Sequence, residues 1–383
     1  MGIGTDLQKN RRVVVVGAGI VGASLAYHLA CKGAAVTVIE ADRAASGATG
    51  RSFAWINTAH PKPNPIAALR SAAIREYHRL EHELPDLRVR WTGSITYSSG
   101  AEDGTVSAAD RPAAVHLSKP QILAIEPNLV NPPDSAAYQA EEGALDAVAA
   151  THALLAGAQS HGAKIFTQTQ VLGFFAKHGM VTGVETTAGP VEADVLVLAA
   201  GTGIASLLNA LDTHLPIHAS PAIFIRYQTQ ADRVHTIISN ADMEVRQASD
   251  GSLLAAEDYV DDTMDQQPME IARRTANIIQ RELRGVTTIE PEFASVGIRP
   301  MPADGIPIIG YLRAELPTGS PACSLTNHRL ASHIDSPNAA GVYVCAMHPG
   351  VTLAAVVGRL AAEEIVDGTR SPALEPCRPD RFL

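Results

Sequence analysis

The segment VVVVGAGIVGASLAYHLACKGAAVTVIE, residues 13–40, constrains the fold more than any other part of the chain. Its four consecutive valines predict a strand buried on both faces, because such β-branched runs are typical of parallel sheets. After a glycine turn, apolar residues recur at helical spacing, at Val21, Leu25 and Leu29. A second apolar run, Val36–Ile39, follows the helix. The segment therefore predicts a βαβ unit at the centre of an α/β fold.

Three glycines between the first strand and the helix make the pattern G-x-G-x-x-G, at Gly17, Gly19 and Gly22. The first permits a tight turn, the second lets the backbone approach a pyrophosphate, and the third lets the helix pack closely on the strand. Glu40 ends the second strand, where its carboxylate can accept hydrogen bonds from a ribose diol and would repel a 2′-phosphate. The pattern predicts a site for NAD or FAD, and the alternative is a tight turn without a ligand.

Length and composition limit the classes of protein to be considered. With 383 residues the chain is too long for one small core, so we expect two domains. Its formal net charge of −10 argues against a nucleic-acid partner, which would need clustered Lys and Arg. No apolar run approaches the roughly 18 residues of a membrane span, and the first residues do not form a signal peptide. We therefore expect a cytoplasmic protein with no membrane span.

Cysteine and histidine spacing gives no sign of a metal site. No pair of cysteines has the two-residue spacing of a zinc or redox site, so free thiols are expected. His78 and His82 lie four residues apart on a predicted helix, but no third ligand is near them in the sequence. The four cysteines are Cys31, Cys323, Cys345 and Cys377.

A loop of small residues, AASGATGRSFAWIN at 44–57, follows the βαβ unit. Because its side chains are small, the backbone could run close to a flat ligand, with Arg51 facing phosphates. A mobile surface loop has the same composition, and the sequence by itself leaves both interpretations open.

The segment GIRPMPADGIPIIG, residues 297–310, contains an arginine among proline, glycine and apolar residues. Arg299 and Asp304 are its charged residues, and its three prolines exclude a regular helix. Arg299 is therefore either a structural ion-pair partner or a binding group for an anion from outside the protein. Composition does not decide between these two roles.

Four segments of the chain together resemble the FAD-dependent D-amino-acid oxidase (DAO) superfamily, which includes glycine oxidases, sarcosine oxidases and D-amino-acid dehydrogenases. The segments are residues 13–52, 195–203, 297–310 and 342–365, in the family's order and spacing. The resemblance implies FAD as the cofactor. It also implies a Rossmann-like FAD-binding domain interleaved with an α+β substrate domain, whose mixed or antiparallel sheet covers the isoalloxazine.

The resemblance also sets the expected domain limits and the expected mode of flavin attachment. Some relatives attach the flavin through a cysteine at the position of Gly297, so the absence of a cysteine there predicts non-covalent FAD. The expected FAD-binding domain comprises residues 11–86, 145–216 and 300–370, the substrate-binding domain comprises 87–144 and 217–299, and 1–10 and 371–383 are expected tails.

The resemblance implies four groups of cofactor-binding residues. The ADP half would contact Gly17, Ala18, Gly19, Ile20, Val21, Gly22 and Glu40, with the backbone of Val171 at the adenine. The pyrophosphate and the flavin edge would contact Ser46, Ala48, Thr49, Arg51 and Ser52, with Ala200 and Gly201 closing over the cofactor. A turn and the helix start that follows it would direct backbone N–H groups at the flavin N1–C2=O edge and so favour the reduced flavin. The residues of this turn and helix start are His348, Pro349, Gly350, Val351 and Thr352.

The activity implied by the resemblance is oxidation of an amino acid or small secondary amine, with oxygen or another electron acceptor as partner. Arg299 would bind the substrate carboxylate through two charge-assisted hydrogen bonds. Tyr259 and Tyr227 are candidates to assist it, although sheet packing is the favoured role for each tyrosine. His348 either lies over the ring edge or caps its turn. A dehydrogenase, a non-catalytic FAD subunit of a larger oxidase and a homo-oligomer all remain open.

Overall fold

The computed structural model describes residues 10–58, 65–98, 114–229, 232–258, 267–312 and 340–383. The strands in the first half are β1 (Arg12–Val16), β2 (Ala35–Ile39), β3 (Trp55–Ile56), β4 (Val89–Arg90), β5 (Ser94–Thr96), β6 (Val115–Ser118), β7 (Ser135–Gln139), β8 (Gly143–Leu145), β9 (Lys164–Phe166) and β10 (Val171–Lys177). Those in the second half are β11 (Met180–Thr186), β12 (Gly189–Glu192), β13 (Val195–Leu198), β14 (Ile217–Tyr227), β15 (Ile237–Ser239), β16 (Glu244–Gln247), β17 (Leu253–Asp258), β18 (Pro291–Pro302), β19 (Ile308–Tyr311) and β20 (Val342–Ala346).

One α-helix of the described residues starts at a clear side-chain cap. The side chain of Asp146 accepts hydrogen bonds from the backbone N–H groups of Val148 and Ala149, both at 2.9 Å, and so caps its helix. The helices are α1 (Ile20–Cys31), α2 (Ala67–Glu83), α3 (Lys119–Ile125), α4 (Ala147–Ser160), α5 (Ile204–Asn209), α6 (Gln267–Glu282) and α7 (Gly350–Ala362).

A six-stranded sheet contains the predicted βαβ unit. Its strand order is β19-β20-β13-β1-β2-β9, and all neighbours are parallel except β19 against β20. Val13 is paired with Val36 on one side and with Val195 on the other, so the valine run lies in the middle of the sheet. Burial on both faces explains why its residues do not alternate between apolar and polar.

Helices cover one face of this sheet and a mixed layer covers the other. On the first face, α1, α2, α4 and α7 pack into one apolar core. On the second face, β11 of the antiparallel meander β10-β11-β12 packs with α5 against the sheet. Both layers leave the carboxyl ends of the parallel strands uncovered by helix, which is where α/β proteins place their ligands.

A second, eight-stranded sheet has the order β18-β14-β17-β16-β15-β5-β7-β6. All its neighbours are antiparallel except β15 against β5, and α6 packs on one face through residues such as Ala272, Ala276 and Ile279. Its strands come from chain segments that alternate with those of the first sheet. The predicted fold class, a Rossmann-like domain interleaved with an α+β domain on a mixed sheet, is confirmed.

The predicted domain limits stay predictions, and two features of the structure bear on them. Strand β18 continues through the expected limit at 299/300. Within the expected C-terminal tail, Pro372–Cys377 and Pro379–Phe382 form 3-10 turns, and Leu374 and Cys377 are fully buried in the first core. These C-terminal residues therefore pack against the core of the six-stranded sheet.

The described residues bear on the expectations about membranes and metals. Among the described helices, none has the length and apolar character that spanning a membrane requires. The same residues contain no group of three or more His, Cys, Asp and Glu side chains placed to hold a metal ion.

Candidate functional site

A cavity of about 1030 Å³ opens at the carboxyl ends of β1, β2, β13 and β20 and extends beneath the second sheet. This volume is at the upper end of the roughly 300–1,000 Å³ typical of ligand sites. Of the residues predicted to bind the cofactor or substrate, those that line it are Gly17, Gly19, Ile20, Val21, Glu40, Ser46, Ala48, Thr49, Arg51, Ser52, Val171, Ala200, Gly201, Arg299, His348, Pro349, Gly350, Val351 and Thr352.

The glycine turn is built by close backbone contacts. Gly17 has a φ of +105°, and a Cβ at this position would lie 2.6 Å from the carbonyl oxygen of Ala199. A Cβ at Gly22 would lie 1.9 Å from the carbonyl oxygen of Gly17. Both positions therefore exclude a side chain. Gly22 and the buried Ala18 shape the turn from behind, while Gly17 and Gly19 border the cavity.

The loop at 44–57 is docked on the glycine turn and is not a mobile surface loop. Ala45 N–H donates to the carbonyl of Ala18 at 3.0 Å, and Thr49 Oγ1 accepts from Ile20 N–H at 3.1 Å. Thr49 thus lies at the start of α1, whose N-cap residue Gly19 has no side-chain cap. The Arg51 guanidinium donates to the carbonyls of Ser46 and Gly47 and is exposed at the cavity rim.

Glu40 lies at the end of the cavity that also contains Val171. Its Oε2 accepts from Ala18 N–H at 2.7 Å and its Oε1 accepts from Asp42 N–H at 2.9 Å. Its carbonyl accepts from Thr169 N–H at 2.9 Å, which brings the chain before Val171 to the same end. The acid is therefore oriented by backbone donors while its side chain borders the cavity.

The start of α7 is the second helix N-terminus at the cavity. Its N-cap residue is Pro349, which provides no side-chain cap, and Gly350 N–H donates to the carbonyl of His348 at 2.8 Å. Thr352 Oγ1 donates to the carbonyl of Trp55 at 3.1 Å, which ties the helix to β3. Free backbone donors and the positive end of the helix dipole favour an anion at this point.

Arg299 lies on β18 opposite Ser220 of β14 and is half-buried. It donates to Ser220 Oγ at 3.1 Å and to the carbonyls of Ser220 and Pro221 at 3.3 and 3.4 Å. Burial lowers its pKa, and the charges of Asp258 and Glu244 act in the opposite direction. The part of the chain that the structure describes places no carboxylate within ion-pair distance of it, so the structural ion-pair role is not supported.

Of the two candidate tyrosines, the structure describes Tyr227, which does not line the cavity. Tyr227 is fully buried in the second core, where its hydroxyl donates to the carbonyl of Ala272 at 2.7 Å and burial raises its pKa. It has the packing role favoured from the sequence. Tyr259 lies outside the described residues.

Several residues that line the cavity were not predicted from the sequence. The polar or aromatic ones include Arg70, Asn57, Trp55 and Glu244. Arg70 had a usable signal, because it falls between Ile66 and Ala73 on the buried stripe of α2. A charged residue on such a stripe calls for a specific partner. Glu244 lies on the short strand β16 and carried no comparable signal.

The family follows from one comparison. The model of the family DAO, "FAD dependent oxidoreductase", matches residues 12–364. The chain belongs to this family. The match spans both sheets and both helix N-termini at the cavity, and the recognition of the family and of FAD as its cofactor is confirmed.

Individual relatives agree with this assignment at low identity. Glycine oxidase of Bacillus licheniformis is 23% identical over 319 residues, which cover 79% of this chain and 85% of that protein. The mitochondrial pyruvate dehydrogenase phosphatase regulatory subunit of Mus musculus is 28% identical over 235 residues, 57% of this chain and about a quarter (26%) of that protein. The crystal structure of L-proline dehydrogenase from P. horikoshii shares the fold, with a TM-score of 0.80, 21% identity and coverage of 97% of this chain and 98% of that one.

The residues of the cavity fit FAD. Two helix N-termini whose N-cap residues, Gly19 and Pro349, provide no side-chain cap suit the pyrophosphate and an electron-rich ring edge, and Glu40 lies at the end expected for the ribose. The backbone contacts at Gly17 and Gly22 leave the turn free of side chains where the phosphates would approach.

Proposed function

We propose that the protein uses non-covalently bound FAD to oxidise the C–N bond of an amino acid or small secondary amine, with oxygen reoxidising the flavin to give hydrogen peroxide. The glycine oxidase and L-proline dehydrogenase similarities support this substrate class. When bound beside Arg299, FAD would supply a two-electron acceptor for the hydride on the substrate Cα, and water would hydrolyse the resulting imine.

The observation that carries the proposal is the position of Arg299. Its half-buried guanidinium borders the same cavity as the glycine turn and the start of α7. Its hydrogen bonds to Ser220 and Pro221 are 3.1–3.4 Å long, so the guanidinium N–H groups can exchange these acceptors for those of a ligand. A carboxylate bound there would gain charge-assisted hydrogen bonds in a partly dehydrated site, which fixes the substrate in one orientation.

Other residues of the chain would position the substrate and exclude water. Apolar groups line the same cavity as Arg299, among them Phe224, Val296 and Met347. In the proposed mechanism the amine binds in its neutral form, because an ammonium nitrogen has no lone pair with which to assist departure of the hydride. We assign no residue as a dedicated base, and His348 is proposed to lie at the ring edge.

The proposed cofactor contacts are the residues named from the family resemblance. Gly17–Gly22, Glu40 and Val171 would hold the adenosine diphosphate, and the loop from Ser46 to Ser52 would hold the pyrophosphate and flavin edge. Ala200 and Gly201 would close over the cofactor, and residues His348–Thr352 would meet the pyrimidine. Acid precipitation should release all of the flavin, since no cysteine occupies position 297.

Anaerobic flavin reduction tests the proposal most directly. The purified yellow protein is mixed with D- and L-amino acids, glycine, sarcosine, proline analogues and N-methyl amines, and loss of flavin absorbance is followed. The proposal expects at least one of these compounds to reduce the flavin within the time of a turnover. Reduction by simple amines without a carboxylate, and by no amino acid, would contradict the role given to Arg299.

Two alternatives share the same fold. A dehydrogenase, favoured by the similarity to L-proline dehydrogenase, would reduce the flavin with the substrate yet form almost no peroxide in air. A non-catalytic FAD subunit is favoured by the similarity to the phosphatase regulatory subunit. It would bind flavin that none of the compounds bleaches.

A further inference from the structure

Arg70 is a second guanidinium at the cavity and has no role in the function proposed so far. It lies in the first turn of α2, is 6% exposed, and borders the cavity. Its Nη1 donates to the carbonyl oxygen and Oδ1 of Asn57, while its buried Nε has no hydrogen-bond acceptor among the described residues. Burial lowers the pKa of Arg70 to about 10, which shows that the surroundings disfavour its charge.

Contacts within the described residues compensate the charge of Arg70 only in part. A cation in the first turn of a helix faces the positive end of the helix dipole. The described residues provide no ion-pair partner for Arg70. Glu142 attracts it electrostatically, but the Glu142 oxygens accept from Thr58 N–H and Oγ1 at 2.7 Å, from Trp55 Nε1 at 3.0 Å and from Ser94 Oγ at 2.7 Å. A buried cation without a paired anion is costly unless a ligand compensates it.

The position of Arg70 connects it to the start of α7. Asn57, its hydrogen-bond partner, donates its backbone N–H to Thr352 Oγ1 at 3.5 Å, and Thr352 lies in the first turn of α7. About two turns further along α2, the Tyr77 hydroxyl donates to the carbonyl of Val351. Arg70 and the N-terminus of α7 therefore border the same part of the cavity and both favour negative charge there.

We propose that Arg70 is an electrostatic partner of the flavin pyrimidine ring, which acts with the α7 N-terminus to stabilise the anionic reduced flavin. The inference rests on the proposed function, because it places the pyrimidine edge at the start of α7. Reduction of the flavin brings negative charge to its N1–C2=O edge, and a fixed cation in a site of low polarity stabilises such charge strongly. Arg299 binds the substrate carboxylate, whereas Arg70 acts on the cofactor.

The test is the two-electron reduction potential of the bound flavin, measured by equilibration with a reference dye. Arg70→Gln removes the charge and keeps a hydrogen-bonding group, Arg70→Lys keeps the charge, and Arg75→Gln is the matched control. Arg75 is exposed on the same helix and donates to the carbonyl of Ser71 at 3.4 Å. We expect Arg70→Gln to shift the equilibrium at least tenfold toward oxidised flavin, about 30 mV. Arg70→Lys should restore most of the shift, and Arg75→Gln should match the wild type.

A second measurement distinguishes between two anions that Arg70 could contact, the reduced flavin and the substrate carboxylate. Binding of acetate is followed by perturbation of the flavin spectrum in the same variants. An unchanged potential in Arg70→Gln overturns the inference, and it does so whether acetate binding is kept or lost. A lowered potential that Arg70→Lys does not restore also overturns it, because the loss would then be structural. If the wild-type flavin is not reduced by any amino acid, the proposed function fails, while the potential of each variant still decides the role of Arg70.

Discussion

Arg299 is held by acceptors that a substrate carboxylate can replace. The acceptors are the hydroxyl and carbonyl of Ser220 and the carbonyl of Pro221, and none of them carries a charge. A carboxylate would offer two charged oxygens instead, which match the fork of the guanidinium. This makes Arg299 the residue at which substrate binding and protein stability are most easily separated.

Arg299→Ala should raise KM for a carboxylate substrate about 100-fold, since a hydrogen bond to a charged group contributes roughly 1.5–3 kcal/mol and 1.4 kcal/mol is tenfold. Steady-state kinetics and flavin content measure the two effects separately, and FAD should stay bound. The control is Arg226→Ala, because Arg226 lies on β14 in surface ion pairs with Asp250 and Glu292. Joint loss of flavin and fold in Arg299→Ala would support a structural role.

Single residues also show where prediction from the sequence stopped. Arg299 could be singled out because it is a charge among prolines and glycines, but its ligand role came from family resemblance and its surroundings from the structure. Arg70 went unnoticed in an amphipathic helix with several other arginines. Its burial and its neighbour Asn57 depend on the packing of α2 against α7, which local sequence does not encode.

At the scale of elements, the junction of β1 and α1 tolerates no added atoms. Gly22→Ala would place a Cβ 1.9 Å from the Gly17 carbonyl oxygen and push α1 away from the turn. We expect a loss of about 1–3 kcal/mol in the free energy of unfolding and weaker FAD binding. Thermal unfolding and flavin content are the measurements. Gly173→Ala is the control, because a Cβ there would meet nothing within 4 Å, and an equal loss in both variants would refute the packing argument.

The contact between α1 and α2 predicts a pH dependence of stability. His28 is buried; its Nδ1 lies 2.8 Å from the carbonyl of Ser24, and its Nε2 lies 2.8 Å from a nitrogen of Arg79. This arrangement suits a neutral ring that donates through Nδ1 and accepts through Nε2. Burial, opposed by the hydrogen bond to Ser24 and assisted by Arg79, lowers the pKa of His28 to about 4.

Because the folded pKa of His28 is below the unfolded value of about 6.5, the unfolded state binds more protons between these values. Neutral His28 therefore contributes fully to the free energy of unfolding above about pH 6.5. This contribution, in total about 3 kcal/mol, is lost as the pH falls toward 4. Urea unfolding at several pH values measures the free energy of unfolding. Across this pH window that free energy should change less with pH in His28→Gln than in the wild type. An equal pH dependence in the two proteins would show that His28 binds protons equally in the folded and unfolded states.

Elements were predicted more reliably than the contacts between them. The valine run and the glycine turn are local signals, and each element lies where its signal indicated. The order of strands in the two sheets depends on pairings between distant segments, such as β1 with β13 and β14 with β18. Local patterns favour a strand but do not choose its neighbours.

At the scale of the whole molecule, the cavity lies between the two sheets and draws residues from most of the chain. A ligand that contacts both sheets stabilises the folded state, since it has no comparable site in the unfolded chain. FAD at a concentration hundredfold above its dissociation constant should add about 2.7 kcal/mol to the apoprotein. Thermal unfolding with and without added FAD measures this, and riboflavin, which lacks the ADP half, should give much less. An apoprotein as stable as the holoprotein would contradict the site described.

The sequence by itself determined the βαβ unit and, through four separate segments, the FAD-dependent family, and it predicted a dinucleotide site at the glycine turn. These features are fixed by backbone sterics and by the burial of local apolar runs, which a linear pattern records. The tertiary structure alone decided that Arg299 has no ion pair among the described residues, that Thr49 meets the start of α1, and that Arg70 borders the cavity. The physical reason is that burial and charge pairing depend on which distant segments pack together.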